Sequence, residues 1–186
     1  MATALFVRRG FDAVTVADVA EAANVSKMTV FNYFPRKEDL LLDRHSERMD
    51  AVRRAITGRP PGASPVDAVR AHCQELLADG HPTSGAVAAA SWFFEMVRDS
   101  PALRTRWLEQ EREIGDALAG VLVEEWGDEP RARLVAAMLA AAMNTGFRIA
   151  VDAILAGRPA AQVRREQSAL LDQAFDLVAQ GVHGTG

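Results

Sequence analysis

The stretch Thr15-Val16-Ala17-Asp18-Val19-Ala20-Glu21-Ala22-Ala23-Asn24-Val25-Ser26-Lys27-Met28-Thr29-Val30-Phe31-Asn32-Tyr33-Phe34 decides how the chain begins to fold. Thr15 is placed to cap a helix over 16–23, and Asp18, three positions on, closes a capping box. Val16, Val19, Ala20 and Ala23 share one face of that helix. Asn24, which tolerates left-handed backbone, is expected to stop it. Val25 is then expected to return to the core, and Ser26 to cap a second helix over Lys27–Tyr33. Two short helices across a three-residue turn make a helix-turn-helix.

On the second helix Val30 and Phe34 lie four apart and face inward. That leaves Lys27, Met28, Thr29, Phe31, Asn32 and Tyr33 partly or wholly outward. Outward Met, Phe and Tyr on so short a helix suit base edges and thymine methyls. The plainer account is that Phe31 and Tyr33 pack against neighbouring helices.

Composition agrees with a helical protein. Ala supplies 34 of 186 residues, and no alternating strand pattern appears. Apolar residues at 49% and charged residues at 25% describe a globular chain, not a disordered one. The longest charge-free stretches, 80–94 and 134–147, are too short to span a bilayer. No leader pattern is present, so the expectation is a cytoplasmic protein without a membrane partner. The net charge of −4 is unevenly spread. Residues 1–57 hold nine Lys/Arg against eight Asp/Glu, whereas the remainder holds twelve against seventeen. The acidic excess therefore belongs to the C-terminal part and does not argue against a nucleic-acid-binding N-terminus.

Pro and Gly clusters at 58–62, 80–82, 100–101, 127–130 and 157–159 punctuate the chain. Between them helices are expected at 2–9, 16–23, 27–33, 36–57, 65–79, 84–99, 101–126, 130–156 and 160–180, about nine helices and no strands. Ser64-Pro65 and Ser100-Pro101 mark two starts, each a capping hydroxyl followed by Pro at the first helical position. The break at 58–62 is the clearest module boundary in composition.

The run from Gly10 to Lys27, continued by Met28-Thr29-Val30-Phe31-Asn32-Tyr33-Phe34-Pro35-Arg36-Lys37-Glu38-Asp39-Leu40-Leu41, resembles the N-terminal domain of TetR/AcrR-type transcriptional regulators. The likeness covers about residues 4–45. It implies an all-α protein with a three-helix DNA-binding domain over 1–45 and a helical ligand-binding and dimerisation domain over 46–186. It implies a homodimer on a palindromic operator, with repression relieved by a small molecule. Carried over by position, Lys27, Met28 and Thr29 open the recognition helix, and Asn32 and Tyr33 are its next outward residues. Thr15 and Lys37 hold positions that meet phosphates. Phe31 replaces a frequent Tyr, and Arg36 replaces a frequent capping Ser or Thr. The first helix starts almost at Met1, so either the natural start lies upstream or backbone contacts are fewer. The second option keeps open an alternative, a helical small-molecule-binding protein with weak DNA binding.

In the C-terminal part, Leu134, Val135, Met138, Leu139, Ala142, Gly146, Ile149 and Ala150 pattern one helix. Val163, Gln167, Leu170, Leu171, Ala174, Phe175, Val178 and Val182 stripe the last. Two such helices per subunit fit a four-helix dimer interface, and ordinary monomer core is the other account. A helix over 36–57 would be a rigid lever of ~33 Å between reader and pocket. Trp92, Phe93, Met96 and Trp107 are candidates for an effector pocket, with Asn144, Phe147 and Arg148, or else for core. A buried Arg148 would demand an anion, with Asp152 the near partner. The effector is expected to be hydrophobic.

Catalytic chemistry has no footing. His45, His72, His81 and His183 are scattered without metal-ligand spacing. Cys73 and His72 are neighbours, about 100° apart on a helix, and cannot pair. No glycine-rich phosphate loop occurs, and neither a cofactor nor a metal is expected.

Overall fold

The computed structural model describes residues 1–183, with Val182 and His183 described by their backbone alone. The expectations for those two side chains lie outside the described residues. Within them nine α-helices and three one-turn 3₁₀ helices succeed one another, without a strand. The N-terminal unit is α1 (Ala2–Arg9), α2 (Val16–Ala22) and α3 (Lys27–Tyr33). Then come α4 (His45–Thr57), α5 (Pro65–Ala78), α6 (Ser91–Asp99), α7 (Pro101–Trp126), α8 (Glu129–Leu155) and α9 (Ala160–His183).

Polar side chains open several of these helices by accepting an otherwise orphaned backbone N–H. Thr15, Ser26, Ser64 and Asp128 do so for α2, α3, α5 and α8. Asn24, at φ 55, makes the left-handed turn between α2 and α3. Ser100 precedes α7 as expected, but its hydroxyl is not a cap. It donates to Asp12 Oδ1 at 2.9 Å and so ties α7 to the N-terminal unit.

Two expected helices are interrupted. The span 36–57 is a 3₁₀ turn over Lys37–Leu40, an irregular link, and then α4 of 13 residues, about 20 Å long. There is no 33 Å lever. Leu40, Leu41 and Leu42 are all buried. Consecutive residues on an α-helix point about 100° apart, so three in a row cannot share one face and the backbone turns instead. The span 84–99 is likewise helical in α6 only from Ser91, after a 3₁₀ turn at Ala88–Ala90. Gly85, at φ +80, is outside helical geometry and lies against Phe147.

Side chains pack into two cores. One is built on Phe6, Phe11, Val14, Val19, Ala20, Val30 and Leu40–Leu42, and takes Leu103 from α7. The other fills the space among α4, α5, α7, α8 and α9. Val52 and Ile56 of α4 belong to this second core together with α5, so the core draws on both sides of the exposed Pro/Gly break at 58–62, which is not a seam. Gly146 against Leu171 and Gly181 against Met138 set the antiparallel register of α8 and α9. Helix α8 is long and apolar enough to cross a membrane by length and composition, and 28% of its most apolar window is buried within the chain.

A Cβ on Gly85 would stand 2.9 Å from the Phe147 ring and 3.0 Å from its carbonyl oxygen. Gly85→Ala should therefore cost about 2–4 kcal/mol from left-handed strain and overpacking together. The melting temperature should fall by on the order of 10 °C. Gly62→Ala, at φ +84 with no neighbour within 4 Å, incurs strain alone and should fall clearly less in the same thermal scan.

Candidate nucleic-acid interface and effector chamber

The N-terminal unit offers α3 to solvent. Lys27, Met28, Asn32 and Tyr33 are exposed, Met28 at 69% and Tyr33 at 77%. Phe31 is 45% exposed, so it packs in part and presents the rest of its ring. Thr29 is half-buried, with its hydroxyl 2.8 Å from that of Ser26. Val25 does not return to the core. It is 43% exposed, because Asn24 closes the turn through a backbone bond from the Val25 N–H to Ala20 and leaves the side chain outside. One cation, Lys27, thus stands beside exposed Met28, Phe31, Asn32 and Tyr33 on one surface, a mixture that base edges and phosphates can use.

The flanking residues are more committed. Thr15 and Asp18 form a closed capping box, with the Thr15 N–H donating to Asp18 Oδ2 at 2.7 Å. The Thr15 hydroxyl and backbone N–H hold the Asp18 carboxyl down at about 2, helped by Arg9 at 3.2 Å. Lys37 lies with its ammonium 4.2 Å from the centre of the Phe11 ring. Arg36 reaches α7, where its Nη1 is 2.5 Å from Glu109 Oε2.

Most of the polar attachment between this unit and the body runs through α7. Arg106 Nε donates to Asp39 Oδ1 at 2.7 Å, and its Nη1 to Glu113 Oε1 at 2.9 Å. Partial burial alone would lower the affinity of Arg106 for its proton, but Asp39 and Glu113 outweigh it and raise it. Burial likewise pulls the Glu113 carboxyl up, while bonds from Arg106 and His45 outweigh this and hold it below its ordinary value. Gln110, 2% exposed, donates to the Leu42 carbonyl at 3.2 Å and closes the link before α4.

Behind this attachment lies a chamber of 420 Å³. Trp92, Phe93, Trp107 and Phe147 line it, with Trp107 and Phe147 stacked at 5.3 Å between ring centres. A smaller space of 150 Å³ adjoins it among α4, α5, α8 and α9, with Asn144 on its wall. Phe147, Arg48 and Thr83 border both. Two expected lining residues stand elsewhere. Met96 packs towards the N-terminal core and a cleft between α1 and α6. Arg148 is exposed on α8 and makes no ion pair with Asp152 or any other described residue, because the face that carries it turns away from the core.

The sequence reading missed the chamber wall formed by Leu41, Leu42, Arg44, His45 and Arg48, together with Thr3 of α1. The signal was there in three successive leucines, which no single helix face can bury. The consequence is that the link into the N-terminal unit is itself part of the chamber.

Residues 1–43 match the family described as bacterial regulatory proteins, tetR family. The chain is 28% identical over 144 residues to the HTH-type transcriptional regulator TcmR of Streptomyces glaucescens, a match covering 74% of this chain and 64% of that one. It is 31% identical over 114 residues to the HTH-type transcriptional repressor AcnR of Corynebacterium diphtheriae, covering 61% and 55%. The matches thus span less than two thirds of the length of these relatives. Among solved structures, Thermus thermophilus FadR, a TetR family transcriptional repressor in complex with lauroyl-CoA, superposes with a TM-score of 0.57. That match is at 24% identity over 97% of this chain and 90% of the other, a likeness of fold.

The capping box gives a test of local electrostatics. The Asp18 carboxyl should titrate near 2 by NMR, against an ordinary 3.8. A depressed carboxylate stabilises the fold above its unfolded value, so this contribution is complete above about pH 4 and lost as pH falls through 2. Thr15→Val removes the hydroxyl and should move the midpoint part of the way back up; an unchanged midpoint would assign the shift to the backbone N–H at position 15 and to Arg9.

Proposed function

The chain belongs, through its N-terminal domain, to the TetR family of bacterial regulatory proteins, and from that premise we propose that it is a homodimeric repressor, which leaves a palindromic operator when a small, largely apolar effector fills the chamber. The observation that carries this reading is α3, with Lys27, Met28, Asn32 and Tyr33 exposed on a unit whose other side is fixed to α7. Laid in a major groove, such a helix reads base edges through Asn32 and Met28 while Lys27, Thr15 and Lys37 approach phosphates. Its home is the cytoplasm, where the DNA is.

A palindrome needs a two-fold partner, and α8 with α9 offers the surface for one. Leu134, Ala137, Ala141, Thr145 and Ile149 recur at three- and four-residue spacing and are exposed, as is Leu177 of α9. An apolar helix with so little cover inside its own chain is supported by a second copy packing four helices together. Two readers then sit one turn of DNA apart, about 34–36 Å. An effector that alters their separation or tilt breaks the match. The FadR neighbour binds lauroyl-CoA; here the aromatic chamber supports an apolar effector of its own kind.

Fluorescence anisotropy with DNA from directly upstream of the gene, against scrambled competitor, tests the reading. The dimer should bind with steep salt dependence, and Lys27→Ala should lower the log–log slope by about two, one phosphate contact per subunit. Asn32→Ala should instead keep the slope and cost ~1–3 kcal/mol of discrimination at each half-site. Affinity no better than for scrambled DNA would overturn the proposal.

The partner surface is tested separately by Ile149→Glu combined with Leu177→Glu. Both positions are exposed in one chain, so circular dichroism should stay helical. Sedimentation should shift from dimer to monomer, and operator affinity should fall by two orders of magnitude or more.

A further inference from the structure

Guanine is the base most often read in a major groove, through an Arg or Lys that donates to its O6 and N7 together. On α3 only Lys27 is of that kind, and it is the one cation the helix has for the phosphates that flank the groove. The other basic residues of the N-terminal unit are committed or carried elsewhere. Arg9 Nη1 is 3.2 Å from Asp18 Oδ1, and Arg36 Nη1 is 2.5 Å from Glu109 Oε2 on α7. Lys37 lies over the Phe11 ring, and Arg8 belongs to α1, a helix outside the helix-turn-helix.

The face that α3 does present has a different chemistry. At 100° per residue, Lys27, Phe31, Met28 and Asn32 fall within one arc of about 140°. All four are exposed, while Val30 on the other side is buried. One amide and two apolar side chains beside each other are what A·T pairs take. An Asn amide donates to adenine N7 and accepts from its N6, and an apolar side chain packs on the thymine methyl. Guanine offers only acceptors in the same place, which would leave the Asn carbonyl without a donor, and cytosine has no methyl.

We propose that the operator half-site read by α3 is centred on A·T pairs. Asn32 pairs with an adenine edge, and Met28, one turn earlier on the same face, packs on the methyl of a thymine one or two steps away, with Phe31 beside it. The inference rests on the repressor reading above and names the DNA that reading requires. Lys27 is left to a phosphate, and no guanine of the half-site is read through Arg or Lys.

Selection from a random duplex pool by the full-length protein tests the base composition. The recovered half-sites should share a core of A·T pairs. On that site, uracil in place of the contacted thymine in both half-sites should weaken binding about fifteenfold, about fourfold for each methyl, the worth of one buried CH₂-sized group. Met28→Ala should bind more weakly and no longer distinguish thymine from uracil there, whereas Met28→Leu should keep the distinction. Replacing the paired adenine by 7-deazaadenine, which lacks the N7 acceptor, should cost the wild type about fivefold at each half-site and leave Asn32→Ala unaffected. These variants change exposed side chains only, so circular dichroism should match the wild type. A half-site with a G·C core overturns the inference and leaves the repressor reading standing, as does a uracil or 7-deazaadenine effect that survives the matching variant. An A·T-rich site that tolerates both modified bases at every position is selected by groove shape and overturns the contacts as well. A pool in which no sequence is enriched overturns the repressor reading and this inference together.

Discussion

The insertion of Leu103 from α7 into the N-terminal core is the contact on which the architecture depends. The first three helices are too few to enclose a core by themselves, since chains of about 40 residues seldom bury enough surface to fold alone. Phe6, Phe11, Val14 and the leucines at 40–42 close around a side chain that arrives from elsewhere in the sequence. A fully buried leucine contributes ~1.5–3 kcal/mol, more than any exposed ion pair around it. The apolar insertion holds the unit, and Ser100–Asp12, Arg106–Asp39 and Arg36–Glu109 set its angle.

The chamber follows from that arrangement. Two cores meet along α7, and neither fills the wedge between them. Aromatic rings from α6, α7 and α8 line the space on one side, and the irregular link from Leu41 to Arg44 lines it on the other. Because the link is not helical, its carbonyl at Leu42 is free to accept from Gln110. The joint between reader and body is thus a part of the cavity wall with its own polar fastening, where a continuous helix would have been a stiff rod passing it.

Much of this was legible in the residues. Helix starts marked by Thr15, Ser26 and Ser64 came through because a cap is a local event between neighbours, as did the left-handed Asn24. The outward face of α3 was legible from the spacing of Val30 and Phe34. What escaped depended on distant partners. No Gly or Pro announces the turn after Leu40; the chain bends there to bury three leucines against α7, which periodicity along 36–57 cannot reveal. Gly85 did lie in view, but its contact with Phe147, 62 positions on, which leaves no room for a Cβ, did not. Arg148 interrupts an otherwise apolar helix in sequence, and which arc of α8 the chain's own core covers is decided by distant partners; the arc that carries Arg148 is left exposed. The aromatics at 92, 93 and 107 could be core or cavity wall from sequence, and they are both, packing against one another while bordering open space.

The borrowed leucine also bears on how such proteins diversify. A reader that completed its own core would be a cassette, free to be transplanted onto any body. This one carries an unfilled socket, and whatever body receives it must present a leucine-sized peg with an arginine one turn further along the same helix, as Leu103 and Arg106 do here. Exchange of readers by recombination is therefore cleanest when the first turns of α7 travel with them, although some sixty residues of unrelated chain lie between. The exposed residues of α3 can change at little structural cost, whereas grafting a whole new N-terminal unit asks for a matched change at a remote helix.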